Sequence, residues 1–173
     1  MPSHTLRSVL AAAMFLGFSG LAWAQDQDEE PDPVILRIAI ADAATTLQKG
    51  LAAGERQGKP ISAKFEMPDG DLQVSVYTAT ASGFAKVVLN PKTGAVISAA
   101  PITDPDDLAH AKAQAAAMEG VTASLLAVTE NAVRDNAGSR AVSVVPAIRG
   151  SQPVALVTLQ RAKDLVTVPE ALR

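Results

Sequence analysis

Residues 59–98 read KPISAKFEMPDGDLQVSVYTATASGFAKVVLNPKTGAVIS, and this stretch decides the fold. Apolar and polar side chains alternate over residues 61–67 and again over residues 72–77, which is typical of strands with one buried face. Further apolar runs cover residues 84–89 and 95–98. The segments between the runs are rich in Pro, Gly, Asn and Asp, which favour turns. The stretch therefore predicts four strands in an antiparallel meander.

A helix is predicted immediately before the meander. An aspartate that can act as N-cap precedes Pro33, and proline fits the first helical position. The apolar residues that recur at helical spacing are Leu36, Ile40, Ala44, Leu47 and Leu51. The pattern predicts one helix over residues 33–56, with its end weakened by Gly50 and Gly54. A short strand over residues 34–40 is the alternative.

A second set of elements follows in the same order. Residues 104–119 are alanine-rich and predict a helix capped by Thr103 or Asp104, and another helix is expected to start at Thr122. One stripe of that helix is apolar and consists of Leu125, Val128 and Ala132, flanked by Leu126 and Val133. Three strands are then expected, over residues 141–148, 154–159 and 165–168.

The sequences of the two halves can be aligned with each other, although few residues are identical. Pro60-Ile61-Ser62-Ala63 falls on Ala141-Val142-Ser143-Val144, Gly70 falls on Gly150, and Asn90-Pro91 falls on Val168-Pro169. This order of elements indicates an internal repeat of about 80 residues. The alternative is two unrelated segments that each have helices before strands.

One stretch of the first half has a recognisable pattern. Lys86-Val87-Val88-Leu89-Asn90-Pro91-Lys92-Thr93-Gly94-Ala95-Val96-Ile97 is a strand, an Asn-x-x-Thr-Gly turn and a short closing strand. In this it resembles the PepSY domain over residues 42–98 and, more loosely, over residues 122–169, where the Thr-Gly turn and closing strand are missing. The turn residues Asn90, Pro91, Thr93 and Gly94 are interpreted as structural, because Asn and Gly tolerate left-handed backbone conformations.

The resemblance implies an α+β fold of two PepSY-like units, each a helix packed on an antiparallel β-meander, with the second unit degenerate. We expect the first unit at residues 33–100, a connecting helix at residues 101–119 and the second unit at residues 120–173. The resemblance also implies an extracytoplasmic binding or peptidase-inhibitory role, since relatives occur in propeptides of secreted metallopeptidases and as envelope proteins. It carries over no catalytic residue.

The first 24 residues are predicted to be a cleavable signal peptide. The uncharged run over residues 9–21 is shorter than the roughly 20 residues that span a bilayer, and Ala22 and Ala24 suit a signal peptidase that leaves Gln25 first. An uncleaved anchor helix is the alternative. Without cysteine no lipid anchor can form, so a periplasmic or secreted protein is expected, with no stable membrane insertion after cleavage. The acidic run over residues 25–32 is predicted to be a disordered tail, with a calcium site as the weaker reading.

Composition and motifs argue against catalysis. The formal net charge is −3 without basic runs, which argues against nucleic acid as a partner. His110 is the single histidine after the predicted signal, and cysteine is absent, so we expect no metal site and no cofactor. The sequence has no nucleophile elbow, P-loop or dinucleotide fingerprint. A Ser-Lys pair involving Lys59, Lys64 or Lys86 is conceivable, but no motif fixes it.

Two functional hypotheses follow from the sequence. In the first, the protein binds or inhibits another protein, such as an envelope protein or a peptidase, by accepting an extended segment at a sheet edge. The alternation leaves a polar outer face, with Tyr77 as its anchor, and the residues of this predicted binding face are Lys64, Glu66, Gln73, Ser75 and Tyr77. In the second, the protein is a periplasmic carrier of a small ligand or ion.

Overall fold

The computed structural model describes residues 33–173. The predicted signal peptide, with Ala22, Ala24 and Gln25, and the predicted acidic tail lie outside the described residues. Within residues 33–173, no helix combines the length and apolar character that crossing a membrane requires.

The chain folds as α+β, as predicted, with four helices and seven strands among the described residues. The elements in chain order are α1 (Pro33–Ala41), α2 (Leu47–Gly54), β1 (Lys59–Glu66), β2 (Gln73–Thr80), β3 (Gly83–Leu89), β4 (Val96–Pro101), α3 (Pro105–Ala117), α4 (Leu125–Asp135), β5 (Arg140–Arg149), β6 (Gln152–Arg161) and β7 (Asp164–Ala171). All strands pair antiparallel in one sheet of order β4-β3-β2-β1-β5-β6-β7. The division into two independent units stays a prediction, since one sheet runs through both halves.

The centre of the sheet relates the two halves. β1 pairs with β5 through Ala63 and Val144, the residues that the sequence superposition places together. Each of these strands has a β-bulge at the same place, one at Ile61 and one at Val142. A bulge inserts one extra residue and increases the local twist. The halves therefore share strand order, register and irregularity around the central pair.

The superposition is wrong at its last point. Asn90 lies in the turn after β3, whereas Val168 lies within β7. The ladders pair Ala63 with Val76 and Val76 with Val87 in the first half, and Val144 with Val157 and Val157 with Val168 in the second. Val168 is thus equivalent to Val87, and β7 is equivalent to β3. Among the described residues β4 has no counterpart in the second half.

The single helix expected over residues 33–56 is two helices in the structure. Ile40 and Ala43 are buried, Ala44 is exposed, and the side chain of Thr46 caps α2 by accepting from the Lys49 N–H. The helix is interrupted here because backbone groups of this segment form hydrogen bonds outside it: the Thr45 N–H donates to the Pro91 carbonyl at 2.9 Å. The alternative of a strand over residues 34–40 is also wrong, because these residues are helical.

The second helix pair is close to its prediction. Asp104 caps α3 by accepting from the Asp106 and Asp107 N–H groups. α4 begins at Leu125 with Ser124 as N-cap, later than the expected Thr122. The reason is that the Thr122 hydroxyl and the Ala123 N–H both donate to the Arg173 carbonyl instead of entering the helix. The predicted stripe is confirmed, since Leu125, Val128 and Ala132 are buried.

Two basic residues clasp the segments that precede α2 and α4, each from the opposite half. Arg140, the first residue of β5, donates to the carbonyls of Ile40, Ala43 and Thr45, the last at 2.9 Å. Lys59, the first residue of β1, donates to the carbonyls of Met118 and Val121 at 3.3 Å each. We call these contacts the Arg140 clasp and the Lys59 clasp. Each one ties a strand of one half to the helix pair of the other.

The main core lies between the sheet and the pair α2 and α4, which contact each other. Gly50 and Gly54 allow α2 to approach β2 closely, since a Cβ would lie 2.7 Å from Val74 Cγ1 at Gly50 and 2.6 Å from Val76 Cγ1 at Gly54. These glycines are packing residues rather than merely weak points of a helix. Buried residues of both halves belong to this one cluster, so each half completes the core of the other.

The opposite face of the sheet is covered at one end by α3. A smaller core of Ile61, Ile102 and Ala111 lies there, with Tyr77 and Phe84 packed against it. α3 contacts β1, β2 and β5. The α3 face is the name used below for this side of the sheet, which carries the predicted binding face.

Candidate functional site

The predicted binding-face residues all lie on the α3 face, at or beside the middle of the sheet. The ladders pair Lys64 with Ser75, Glu66 with Gln73, and place Tyr77 beside Lys86 of β3. The structure therefore brings the five predicted residues together and adds Lys86, which the sequence prediction missed. A signal for Lys86 existed, because it alternates with the buried Val87 in β3 and so points to the same face.

Glu66 is the centre of a connected polar network. Its two carboxylate oxygens bind the Lys64 and Lys86 ammonium groups at 2.8 Å each. The Gln73 amide donates to the same carboxylate at 2.9 Å and the Ser75 hydroxyl donates to it at 2.6 Å. Gln73 also donates to the Ser75 hydroxyl at 3.0 Å. We call these residues the Glu66 network.

The network holds its charges in fixed states. Burial alone would raise the pKa of Glu66, but the charge of Lys64 and the hydrogen bonds from Lys64, Lys86 and Ser75 lower it to about 2. Burial opposes the charge on Lys64, yet Glu66 outweighs this effect and raises the pKa of the lysine. Ser75 is fully buried and gives its hydrogen bond to the carboxylate. Ser75 thus donates to a carboxylate that also binds both lysines, an arrangement that favours a structural and electrostatic role.

Tyr77 is less open than the sequence prediction assumed. Its ring packs against the small core beneath α3, and the Lys86 ammonium lies 5.4 Å from the ring centroid. Burial and the charge of Glu66 raise the pKa of its phenol. A half-buried ring that carries a lysine on its face presents little surface to a partner. Lys64, with about half of its side chain exposed, is the most accessible member of the predicted face.

A row of mostly hydroxyl side chains crosses the whole α3 face. Consecutive ladder pairs connect one residue from each strand, and these are Ser98, Val88, Ser75, Lys64, Ser143, Thr158 and Thr167. The Thr158 and Thr167 hydroxyls are 3.1 Å apart. The row carries a single charged side chain, that of Lys64, and no aromatic group on which a ring-shaped ligand could stack.

In the turn predicted as structural, Gly94 has the expected left-handed backbone, whereas Asn90 has no positive φ and acts through its side chain instead. The Asn90 side chain accepts from the Lys92 and Thr93 N–H groups, and Gly94 has a φ of +74°. The Gly94 N–H donates to the Asn90 carbonyl at 2.8 Å. Together with the Pro91 contact to Thr45, the turn holds the junction of α1 and α2.

The sheet has two open edges among the described residues, β4 and β7. In an antiparallel ladder, alternate residues direct their N–H and C=O groups to the neighbouring strand and outward. The Ile102 N–H donates to the Phe84 carbonyl, so over residues 98–101 Ala99 and Pro101 face outward and Ala99 alone of these two offers an N–H, whereas a bulge interrupts the alternation before Ser98. Pro101 therefore weakens β4 as an acceptor of another strand.

β7 is the better acceptor of an added strand. The Leu172 N–H donates to the Pro153 carbonyl, so the regular ladder directs Leu165, Thr167, Pro169 and Ala171 outward. Three of these residues offer an N–H. Leu165 and Val166 are 39% and 51% exposed, but Val96 and Ile97 of β4 are 47% and 63% exposed, so the choice of β7 depends on its outward N–H groups and not on apolar surface. Sequence reasoning named an exposed edge but could not choose it, because the strand order was not known.

Other sites are weak within the part of the chain that the structure describes. Two shallow depressions of about 200 and 230 Å³ lie beside Lys59 and beside Lys86. His110 is exposed on α3, and no group of three or more metal-ligating side chains occurs among residues 33–173.

Comparison with known protein families, with curated proteins and with solved structures finds no match for this chain. The resemblance to the PepSY domain therefore stays a prediction that depends on the residues of the Asn90 turn and on the order of elements.

Proposed function

We propose that the chain is an exported, non-catalytic protein-binding module of the cell envelope, PepSY-like in organisation, that captures an extended segment of a partner at the β7 edge. The observation that carries this proposal is the open β7 edge, with three outward N–H groups and two exposed apolar side chains. Unpaired strand edges bind extended segments by main-chain hydrogen bonds, and nearby side chains supply specificity. The partner class is an envelope protein or a secreted peptidase, which the module inhibits or regulates.

The Glu66 network supports this function indirectly. It fixes β1, β2 and β3 to one another through partly buried charged hydrogen bonds, which keep this part of the sheet rigid. A rigid sheet loses little conformational entropy when a partner strand is added. The alternative function, a periplasmic carrier of a small ligand or ion, has no specific observation in its favour.

The test is affinity capture with the purified chain of residues 25–173 and an envelope extract. Thr167→Pro removes an outward N–H of β7 without removing a bond to β6, because Thr167 faces away from that ladder. Thr167→Val is the matched control, since it keeps the N–H and removes only the hydroxyl. Ala99→Pro removes an outward N–H from the β4 edge and so tests that edge in the same way.

The proposal predicts a stoichiometric partner that is lost with Thr167→Pro and kept with Thr167→Val and Ala99→Pro. Loss with Tyr77→Ala alone would move the binding site to the α3 face and contradict the assignment to β7. A chain that captures no protein but gains thermal stability from a small molecule would support the carrier instead. If the partner is a peptidase, its hydrolysis of a peptide substrate should fall in proportion to the complex formed.

A further inference from the structure

The pairing of β3 with β4 shows how a strand could be added beside β7. The ladders make β7 equivalent to β3, and in the first half β4 covers the outer edge of β3. In the second half no described strand takes that place. After β7 the chain leaves the sheet, since Leu172 is buried and the Arg173 carbonyl accepts two hydrogen bonds from the segment before α4. Within residues 33–173 the eighth-strand position is therefore open, and the pairing of β3 with β4 supplies its expected geometry.

The equivalence fixes which residues an added strand would meet. In the first half Ala100 pairs with Lys86 and Ala99 pairs with Val87. The equivalent positions on β7 are Thr167 and Val168. Direct transfer of the register places an added residue beside Val166, on the side of the sheet that α4 covers. Because Val166 is 51% exposed, an apolar side chain at that place would remove apolar surface from water.

The middle of the β7 edge offers no charge with which a charged segment could pair. Residues 165–169 read LVTVP and carry no charge, whereas Asp164 and Glu170 flank them. β4, the strand at the equivalent position, reads VISAAP and is also uncharged. β7 is largely exposed and uncharged between Asp164 and Glu170, so a charged side chain added there would stay hydrated but would find no ion-pair partner. Pro169 offers a carbonyl but no N–H, which leaves Leu165 and Thr167 as the main donors to the added strand.

From these observations the geometry points to the class of segment that the edge accepts: an antiparallel strand of uncharged, small and β-branched residues, similar to the chain's own β4. This inference rests on the proposed function and specifies its partner. The segment pairs with Leu165 and Thr167 and packs an apolar side chain against Val166. In the partner protein, such a segment must be extended and not already paired on both sides.

The probe is a capped synthetic peptide with the sequence of residues 94–103, GAVISAAPIT, added to the purified chain of residues 25–173. Fluorescence anisotropy measures its binding, and amide hydrogen exchange locates it. We expect saturable binding and slower exchange at Leu165 and Thr167. Thr167→Pro should weaken binding about tenfold or more, and Thr167→Val and Ala99→Pro should leave it within about twofold. A peptide with proline at the position of Ala100 should not bind, since that N–H would face β7.

Two results would overturn the inference. Peptide binding that slows exchange at Ala99 rather than at Thr167 would place the added strand on β4. Absence of peptide binding, while an envelope partner is still captured and lost with Thr167→Pro, would refute the segment chemistry and leave the proposed function in place. Capture that does not depend on Thr167 would refute the proposed function itself. Circular dichroism of each variant verifies that the fold is intact, and Thr167→Val verifies that the hydroxyl contact to Thr158 does not cause the effect.

Discussion

The two halves of the molecule use the same geometry with different chemistry. Both place a bulge in the central strand, a hydroxyl N-cap on the second helix and a basic residue at the start of the first strand. In the first half, however, the α3 face carries the Glu66 network and the sheet continues into β4. In the second half that network is absent from the described contacts and β7 remains open. The two halves therefore agree in the local features that fix the backbone, and they differ in the side chains of the α3 face and in the strand at the sheet edge.

The largest effect is expected from separating the halves. A fragment of residues 33–103 should show no cooperative unfolding transition, because the main core contains buried residues of both halves and both clasps are lost. The expected loss is the whole stability of a small domain, about 5–15 kcal/mol. Urea titration followed by circular dichroism measures it. A sigmoidal transition of the fragment would contradict this and establish the predicted independent unit.

A smaller effect distinguishes the two clasps. Arg140→Met should reduce the free energy of unfolding by about 3 kcal/mol, since three carbonyls lose a charged donor and the contact of the guanidinium with the Phe65 ring is lost. Lys59→Met should cost about 1 kcal/mol, because that residue is exposed and makes two longer hydrogen bonds.

Chemical unfolding of both variants measures the difference between the clasps. Arg140→Lys is the informative companion, because a single ammonium group cannot reach three carbonyls as the planar guanidinium does. We expect it to recover less than half of the loss. Equal costs for Arg140→Met and Lys59→Met would refute the unequal contribution of the clasps.

The pH dependence of stability should come mainly from the first half. The folded pKa of Glu66, about 2, lies below its ordinary value of 4.5, so its ionised form stabilises the fold above about pH 4.5. That contribution is lost as the pH falls from about 4.5 through about 2, and after allowance for solvent screening we expect roughly 2 kcal/mol. When the free energy of unfolding is measured at several values between pH 7 and pH 2, it should therefore fall more steeply with decreasing pH for the natural chain than for Glu66→Gln.

A companion variant sharpens this result. In Lys86→Met, Lys64 is the remaining ion-pair partner of Glu66, so the free energy of unfolding should depend on pH less steeply than in the natural chain. If Glu66→Gln shows the same slope as the natural chain, the Glu66 network does not control acid stability and the difference between the halves is one of shape only.

The sequence allowed the strands to be predicted better than the contacts between elements. Alternation identified β1 and β2, because period-2 burial follows from pleating, and an apolar run that ends at a turn identified β3. The break between α1 and α2 was missed, since it depends on Arg140 and Pro91, which are distant in sequence. Alternation placed the five residues of the predicted binding face on one side of the sheet, but the cover that α3 places over Tyr77 depends on packing that no local pattern contains. Arg140 and Lys59 gave no local signal as clasps.

The central pairing of β1 with β5 has a consequence for biosynthesis. Ala63 and Val144 are about 80 residues apart, and at about 5–20 residues per second β1 is synthesised roughly 4 to 16 s before its partner strand. During that interval one edge of β1 has no neighbour from its own chain. Lys64 lies on this strand, and a charged side chain there discourages pairing between nascent chains. Lys64, which binds Glu66 in the folded chain, thus places a charge on the strand whose pairing with β5 joins the two halves.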